Sequence, residues 1–159
     1  MIVYHGSTEI VEKPDVRHSY RPLDFGKGFY VTTNYDQARR WARRKADLLH
    51  QDLAYVNQYE MTEDFTALKV KEFHDDLYEW IDFVCACRDE KSDYLAYDII
   101  MGKVANDKVF RVVDLYHTGI WDKERAIQEI KVYPGYDQIA FITQTTIDRL
   151  LLYSSAEEV

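Results

Sequence analysis

The stretch DFGKGFYVT (24–32) combines two glycines with a run of aromatic and β-branched residues. Aromatic and β-branched residues favour β-strands. Glycine lets the backbone turn with positive φ or approach a ligand closely. The chain has only six glycines in 159 residues. A third glycine, Gly6, lies in another strand-like stretch, YHGS (4–7). The sequence therefore predicts two strands beside a ligand site, with His5 and Tyr30 next to the glycines.

Length and composition predict one globular domain over residues 1–159. Of the residues, 47% are hydrophobic and 30% are charged, and a chain of this size buries about two-thirds of its unfolded surface. The 28 acidic and 20 basic residues give a net charge of −8. Such a chain attracts phosphate poorly. A nucleic-acid target is therefore disfavoured, although ARRWARRK (38–45) is locally basic and keeps that possibility open.

The sequence indicates a cytoplasmic protein without a metal or a membrane segment. No apolar run approaches the ~20 residues that a membrane span needs, and MIVYHGST (1–8) does not have the pattern of a secretory signal. Cys85 and Cys87 are the only cysteines, too few for a disulfide framework. The five histidines have no zinc-binding spacing. Two reduced thiols and no metal are expected.

Hydrophobic patterning predicts a mixed α+β fold. Strands are expected at 2–6, 28–33, 53–60, 67–73, 96–102 and 137–143, and helices at about 35–50, 76–88, 108–119, 123–131 and 145–153. Asn34, Asp107 and Asp122 are expected to cap helices, and Gly119 to end one. Residues 8–24 should form a long surface loop, which in a compact domain is often functional. Few connections have the length of a parallel crossover, which favours α+β over a doubly wound sheet.

The glycine-containing stretches YHGS (4–7) and FGKGFY (25–30) resemble two motifs of the ADP-ribosyltransferase superfamily, in the branch of the poly(ADP-ribose) polymerases and diphtheria toxin. Those enzymes carry a His-Tyr-Glu triad whose glutamate lies near the C-terminus. The stretch YDQIAFITQTTIDRLLLY (136–153) is similar to their last catalytic strand and the following helix, and the glutamate's place falls on Gln138.

The chain as a whole resembles a bacterial family catalogued as a domain of unknown function. That similarity includes EWIDFV (79–84) and YDIIMGKVANDKV (97–109), within which the Val104–Lys108 turn has no known role. The resemblance to the enzymes implies an α+β, ADP-ribosyltransferase-like split β-sheet core. Accessory segments over about 74–132 would decorate that core.

The resemblance also implies a site for NAD. His5 would hydrogen-bond the ribose hydroxyls, and the backbone of Gly6 would hold the nicotinamide amide. Tyr30 would supply a flat face for the nicotinamide ring. Trp41, eleven residues after Tyr30, would stack on the opposite face. Further residues expected at the cofactor are Ser7, Gly28, Arg17 and Arg21, with the two arginines near the diphosphate.

Two positions depart from the pattern of the enzymes. Ala38 stands where the polymerases carry a hydroxyl residue that binds the nicotinamide amide, and Gln138 replaces the glutamate. Glutamine keeps a hydrogen bond but lacks the charge that stabilises an oxocarbenium-like transition state. Losing one such preorganised group costs roughly 10²–10³ in rate. Asp137 is no simple substitute, because adjacent strand residues face opposite ways.

The predicted function is NAD-dependent mono-ADP-ribosyl transfer, with NAD as substrate and His5, Tyr30 and Gln138 as catalytic residues. The acceptor would be a macromolecule, a protein rather than a nucleic acid. Two alternatives remain open. The chain could be a catalytically impaired module that binds NAD or ADP-ribose, or a toxin-like interaction protein held by a small antitoxin-like partner.

Overall fold

Two β-sheets and a set of helices form the chain. The computed structural model describes residues 1–19, 23–105, 107–133 and 135–159, and the elements below lie within these ranges. The strands are β1 (Ile2–Ser7), β2 (Phe29–Val31), β3 (Tyr55–Met61), β4 (Val70–Glu72), β5 (Ile99–Lys103), β6 (Asp137–Phe141) and β7 (Leu151–Glu158). The α-helices are α1 (Tyr35–Leu49), α2 (Leu77–Arg88), α3 (Asp107–His117), α4 (Lys123–Lys131) and α5 (Gln144–Leu150). Short 3-10 helices lie at Val16–His18 and Asp93–Ala96.

The two sheets meet between β1 and β2. One sheet has the order β1-β3-β7 and is antiparallel, and the other has the order β2-β6-β5-β4, in which only β4 and β5 run parallel. Tyr4 and Thr32 form an antiparallel bridge between the sheets, with N···O distances of 2.8 and 2.9 Å. The predicted mixed α+β class is therefore confirmed.

Strand β2 supplies side chains to two apolar clusters. Successive strand residues face opposite ways, so Phe29 and Val31 pack with Tyr59 and Phe141, whereas Tyr30 packs in the other cluster. The second cluster is filled by side chains from α2, α3 and α4, which cover that face of the four-stranded sheet. None of the helices in the described ranges is long and apolar enough to cross a membrane.

The predicted accessory segment 74–132 is more than decoration. It contains α2, α3 and α4, but it also contains β5, which pairs with β6 on one side and β4 on the other. Ile99 and Ile100 of β5 are fully buried. This segment therefore builds part of the central sheet, and the prediction that it only decorates the core is wrong.

Two of the predicted helix caps are confirmed. The Asn34 side chain accepts a hydrogen bond from the Gln37 N–H at 2.8 Å, and Asp122 accepts one from the Arg125 N–H at 2.8 Å. Each bond satisfies an N–H group that the first turn leaves without a helical partner. The third expected cap, Asp107, is the first residue of α3, and its side chain lies outside the part of the chain that the structure describes.

The C-terminal prediction is wrong over residues 151–153. A helix was expected at 145–153, but α5 ends at Leu150 and β7 begins at Leu151. Leu151 lies opposite Met61 of β3, and Tyr153 lies opposite Tyr59. A short apolar run is compatible with either a helix or a strand. Here the run forms a strand because the edge of β3 provides backbone hydrogen-bond partners for it.

Candidate functional site

The strands β1, β2 and β6, which carry the three sequence motifs, are distant in sequence but lie side by side. β1 bridges to β2, and β2 pairs with β6 in a register that places Tyr30 opposite Ala140. His5 Nδ1 lies 2.7 Å from the backbone oxygen of Tyr30. Gln138 precedes Ala140 by two residues, so its side chain faces the same side of the sheet as Tyr30. The fold therefore brings the strands of His5, Tyr30 and Gln138 side by side, with the side chains of Tyr30 and Gln138 on the same face of the four-stranded sheet.

His5 is buried, and both of its ring nitrogens contact protein groups. Because a carbonyl oxygen only accepts, Nδ1 carries the hydrogen that is donated to Tyr30. Nε2 lies 3.2 Å from Nε2 of His18, which belongs to the loop 8–24. Burial, and after it the charge of His18, lowers the pKa of His5 to about 3. The ring is therefore neutral at pH 7 and keeps a lone pair on Nε2.

His18 and Ser19, in the segment before β2, contact this histidine and Gly28. The hydroxyl of Ser19 accepts a hydrogen bond from the Gly28 N–H at 2.8 Å and donates one to the Gly28 carbonyl at 2.9 Å. Lys45 of α1 places Nζ 3.4 Å from His18 Nε2, and burial lowers the pKa values of both side chains. A ligand that uses His5 Nε2 or the Gly28 backbone must displace these loop groups.

Glycine is required at two motif positions because protein backbone comes close. A Cβ on Gly6 would lie 2.1 Å from the carbonyl oxygen of Ala38 and 2.7 Å from the nitrogen of Ala42, both in α1. A Cβ on Gly28 would lie 2.4 Å from the carbonyl oxygen of Phe141 in β6. The close neighbour at both positions is thus a helix or a strand of the same chain, which the sequence could not distinguish from a ligand.

Tyr30 is held from two sides. Its hydroxyl donates to the Gly26 carbonyl at 2.6 Å and accepts from the Phe25 N–H at 3.0 Å. Burial, and after it the charge of Asp24, raises the pKa of Tyr30 well above its usual value. The ring of His5 packs against Phe29 at a centroid distance of 4.4 Å. Since Phe29 and Tyr30 face opposite ways on β2, the rings of His5 and Tyr30 lie on opposite sides of that strand.

Gln138 is buried and its amide nitrogen has two protein partners. Nε2 lies 3.1 Å from Oδ2 of Asp24 and 3.3 Å from the carbonyl oxygen of Lys103. Asp24 Oδ2 also accepts a hydrogen bond from the Ala105 N–H at 3.1 Å. Burial raises the pKa of Asp24, although the hydrogen bonds from Ala105 and Gln138 oppose that shift. Ala105, which follows β5, therefore supplies at least one contact to this buried acid.

Asp24 is the residue that sequence reasoning missed. It is the first residue of the stretch DFGKGFYVT, and its partner Gln138 lies 114 residues away. The one available signal was an acid directly before an apolar and glycine-rich segment that was expected to be buried. That signal is weak, because aspartate is also common at turns.

A cavity of about 590 Å³ lies at the ends of β5 and β6. Gln138 forms part of its wall, together with Lys103, Gly102, Tyr136 and His74. Among the described site residues predicted from sequence, Gln138 alone contributes to this wall. Gln138 of the predicted triad therefore borders the cavity, whereas His5 is covered by loop residues.

The remaining predicted residues are more scattered. Trp41 is half-buried on α1, and the ring contacts recorded for the described residues include no Trp41–Tyr30 pair. Arg17 is exposed and pairs with Asp15 at 3.0 Å. Ser7 is buried and accepts a hydrogen bond from the Glu9 N–H at 3.3 Å. Arg21 lies outside the described residues.

Fold and site together define a two-sheet α+β domain with a buried histidine at the junction of the sheets. The family model for proteins of unknown function, DUF3990, matches residues 1–152, and the chain belongs to that family. No curated protein and no solved structure matches the chain. Within the described ranges, no group of three or more His, Cys, Asp and Glu side chains is placed to hold a metal ion.

Proposed function

We propose that the protein is an NAD-dependent mono-ADP-ribosyltransferase. The observation that carries this proposal is the adjacency of β1, β2 and β6, the three strands that hold His5, Tyr30 and Gln138. Positions 5, 30 and 138 are far apart in the sequence, and the sequence resemblance alone did not require their strands to be neighbours. The division into two sheets that meet at the β1–β2 bridge also supports the split-sheet core which that resemblance implies.

The proposed reaction breaks the bond between the ribose C1′ and the nicotinamide nitrogen. Nicotinamide leaves as a neutral molecule with the bonding electrons, and a nucleophilic atom of the acceptor forms the new bond to C1′ and releases its proton. Positive charge develops on the sugar as the bond breaks. The protein must therefore hold the ribose and the departing ring in a fixed geometry and stabilise that charge.

His5 and Gln138 are the proposed hydrogen-bonding groups for the ribose, and because their side chains lie on opposite sides of β2, binding by both requires a rearrangement of the site. The neutral imidazole of His5 has a lone pair on Nε2, which can accept a hydrogen bond from a ribose hydroxyl once His18 moves aside. The amide oxygen of Gln138 can accept a bond from another hydroxyl. Tyr30 lies in the strand between them and presents a ring against which nicotinamide can pack once the surrounding cluster opens.

Gln138 limits the product to one ADP-ribose per acceptor site. Growth of a polymer requires the hydroxyl of an attached ribose to be activated as a nucleophile, which a carboxylate assists as a general base. The amide of Gln138 cannot accept that proton. A protein acceptor that is already nucleophilic needs less activation, and the net charge of −8 makes a nucleic acid the less suitable target.

A module that binds NAD or ADP-ribose without turnover is the second candidate. It is favoured by the closure of the loop 8–24 over His5 and by the neutral amide at position 138. A toxin-like role with a small antitoxin-like partner is the third, and the edge strand β7 favours it. β7 is eight residues long and pairs with β3 alone among the described strands, and such edges can accept a strand from a partner.

Calorimetric titration with NAD, followed by chromatography of released nicotinamide, tests the proposal. We expect 1:1 binding, slow nicotinamide release, and a single labelled ADP-ribose on proteins of a cell extract supplied with labelled NAD. His5→Ala should lower NAD affinity at least several-fold in a variant that remains folded, whereas His117→Ala on α3 serves as the matched control. Binding without nicotinamide release or transfer favours the module, and absence of NAD binding overturns the proposal.

A further inference from the structure

Asp24 and Gln138 form a carboxylate–amide pair at the wall of the cavity. Their hydrogen bond is 3.1 Å long and joins the loop before β2 to the start of strand β6. We propose that Asp24 is the acidic positioning residue of the site: it orients the amide of Gln138 and supplies the negative charge that a glutamine lacks. This inference rests on the function proposed above and assigns a role to a residue outside the His-Tyr-Gln set.

The hydrogen-bond partners fix which way the Gln138 amide points. The carboxylate of Asp24 and the carbonyl oxygen of Lys103 both only accept hydrogen bonds. Both therefore require the NH₂ end of the amide, which has two hydrogens to give, at 3.1 and 3.3 Å. The oxygen Oε1 is consequently the end turned away from Asp24. Since Gln138 belongs to the cavity wall, this geometry offers a hydrogen-bond acceptor to a ligand hydroxyl.

N–H donors and a neighbouring cation stabilise the charged form of Asp24 and oppose the burial that raises its pKa. Oδ2 receives N–H groups from both Ala105 and Gln138, so that oxygen carries no hydrogen itself. Arg88 adds a positive charge in the same environment, and two of its guanidinium nitrogens are buried without a recorded hydrogen-bond partner among the described residues. An aspartate whose only role was to form a turn would not need two N–H donors and a neighbouring guanidinium.

The charge of Asp24 can reach the sugar through the amide. A carboxylate that accepts from the NH₂ end draws positive character to that end and increases electron density on Oε1. A ribose hydroxyl bound to Oε1 would then meet a stronger acceptor as positive charge develops on C1′. Asp24 does not need to touch NAD for this effect, which is why it is a positioning residue.

This arrangement predicts that Gln138→Glu by itself does not improve the site. A glutamate at position 138 would place a second carboxylate within hydrogen-bond distance of Asp24. Two carboxylates sharing a site cannot both be charged without strong repulsion, so one must take up a proton or move away. Restoring the glutamate of the related enzymes alone therefore damages the site, whereas exchanging the two groups in Asp24→Asn/Gln138→Glu keeps one carboxylate and one amide.

The test compares wild type, Asp24→Asn, Gln138→Glu and the exchanged double variant. Nicotinamide release from NAD gives kcat and KM, and urea unfolding confirms that each protein is folded. We expect Asp24→Asn to lower kcat by roughly 10-fold or more, within the range for a preorganised electrostatic group, with KM changed less than about threefold. Gln138→Glu should also lower kcat, and the double variant should regain most of the loss. Asp114→Asn on the exposed face of α3 is the matched control and should match wild type.

The outcomes separate this inference from the proposed function. If wild type neither binds NAD nor releases nicotinamide, the proposed function fails and takes the role of Asp24 with it. If wild type is active and Asp24→Asn keeps its kcat, the inference alone is overturned. If Asp24→Asn does not fold, the double variant decides. Activity near that of wild type supports the inference, and a folded double variant as slow as Gln138→Glu overturns it.

Discussion

The two halves of the candidate site are held in different ways. In the His5 half, consisting of His5, Gly6 and Gly28, polar groups are satisfied by His18 and Ser19 of a loop. In the Gln138 half, consisting of Gln138 and Asp24, they are satisfied by strand ends and the turn after β5, beside a cavity of about 590 Å³. Loops open at a lower free energy than packed strands, so ligand entry is expected to change the His5 half first.

Buried ionisable groups give the two halves opposite responses to pH. The pKa of His5 is lowered to about 3, chiefly by burial, whereas burial raises the pKa of Asp24. Acid therefore weakens the His5 half, because its histidine must be neutral, and base weakens the Gln138 half. Because the two halves differ in their response to pH and in their packing, each half can be tested separately.

The largest expected effect comes from Gly6→Ala. The new methyl group would lie 2.1 Å from a backbone oxygen of α1, so the helix must move away from β1 and lose buried contacts. We expect a loss of about 3 kcal/mol or more in the free energy of unfolding, measured by urea denaturation. Gly135→Ala in the cavity wall is the control, because its nearest neighbour would lie 3.5 Å away. Equal effects of the two substitutions would contradict the close approach of α1.

A pH effect of intermediate size is expected from His5. Its folded-state pKa of about 3 lies below the ordinary 6.5, so its contribution to stability is complete above pH 6.5 and is lost as pH falls towards 3. Between pH 8 and pH 5 the loss should be about 2 kcal/mol. Urea unfolding at both pH values measures it, and His5→Gln should flatten the dependence. An unchanged pH dependence in His5→Gln would show that the neutral buried ring is not the cause.

Ser19→Ala should loosen the loop over the His5 half. The substitution removes two hydrogen bonds to Gly28, and we expect a loss of about 1 kcal/mol in stability. Hydrogen exchange of the Gly28 amide should become faster, and under the proposed function NAD should bind more tightly because less of the loop must be displaced. Ser92→Ala is the control, since the Ser92 side chain makes no capping hydrogen bond. Unchanged exchange at Gly28 would mean that Ser19 does not hold the loop.

The smallest effect is expected in the Gln138 half and has the opposite sign with pH. The raised pKa of Asp24 means that its contribution to stability is present at low pH and is lost as pH rises through the folded-state value. The titratable groups that face it are Arg88, which is charged, and Tyr30 and Cys87, which are neutral between pH 4 and 8. Asp24→Asn should therefore gain stability relative to wild type as pH increases from 4 to 8. A relative stability that falls with increasing pH would contradict the burial of this carboxyl group.

The sequence predicted the positions of several residues of the candidate site, but few of the contacts that these residues make. The motifs located His5, Tyr30 and Gln138, and the structure places their strands side by side. The sequence could not show that His18 would meet His5, or that Asp24 would meet Gln138, because these pairs are 13 and 114 residues apart. It also could not show that the close neighbour of Gly6 is α1.

The sequence by itself determined the features that depend on near neighbours along the chain. The Asn34 and Asp122 caps, the strand at 29–31 and the mixed α+β class follow from local hydrogen bonding and from the period of the apolar residues. Only the tertiary structure decided the strand order, the conversion of Leu151–Glu158 into an edge strand, and the pairing of Asp24 with Gln138. Each of these depends on backbone or polar groups supplied from far along the chain, and a buried group takes whichever partner the fold places beside it.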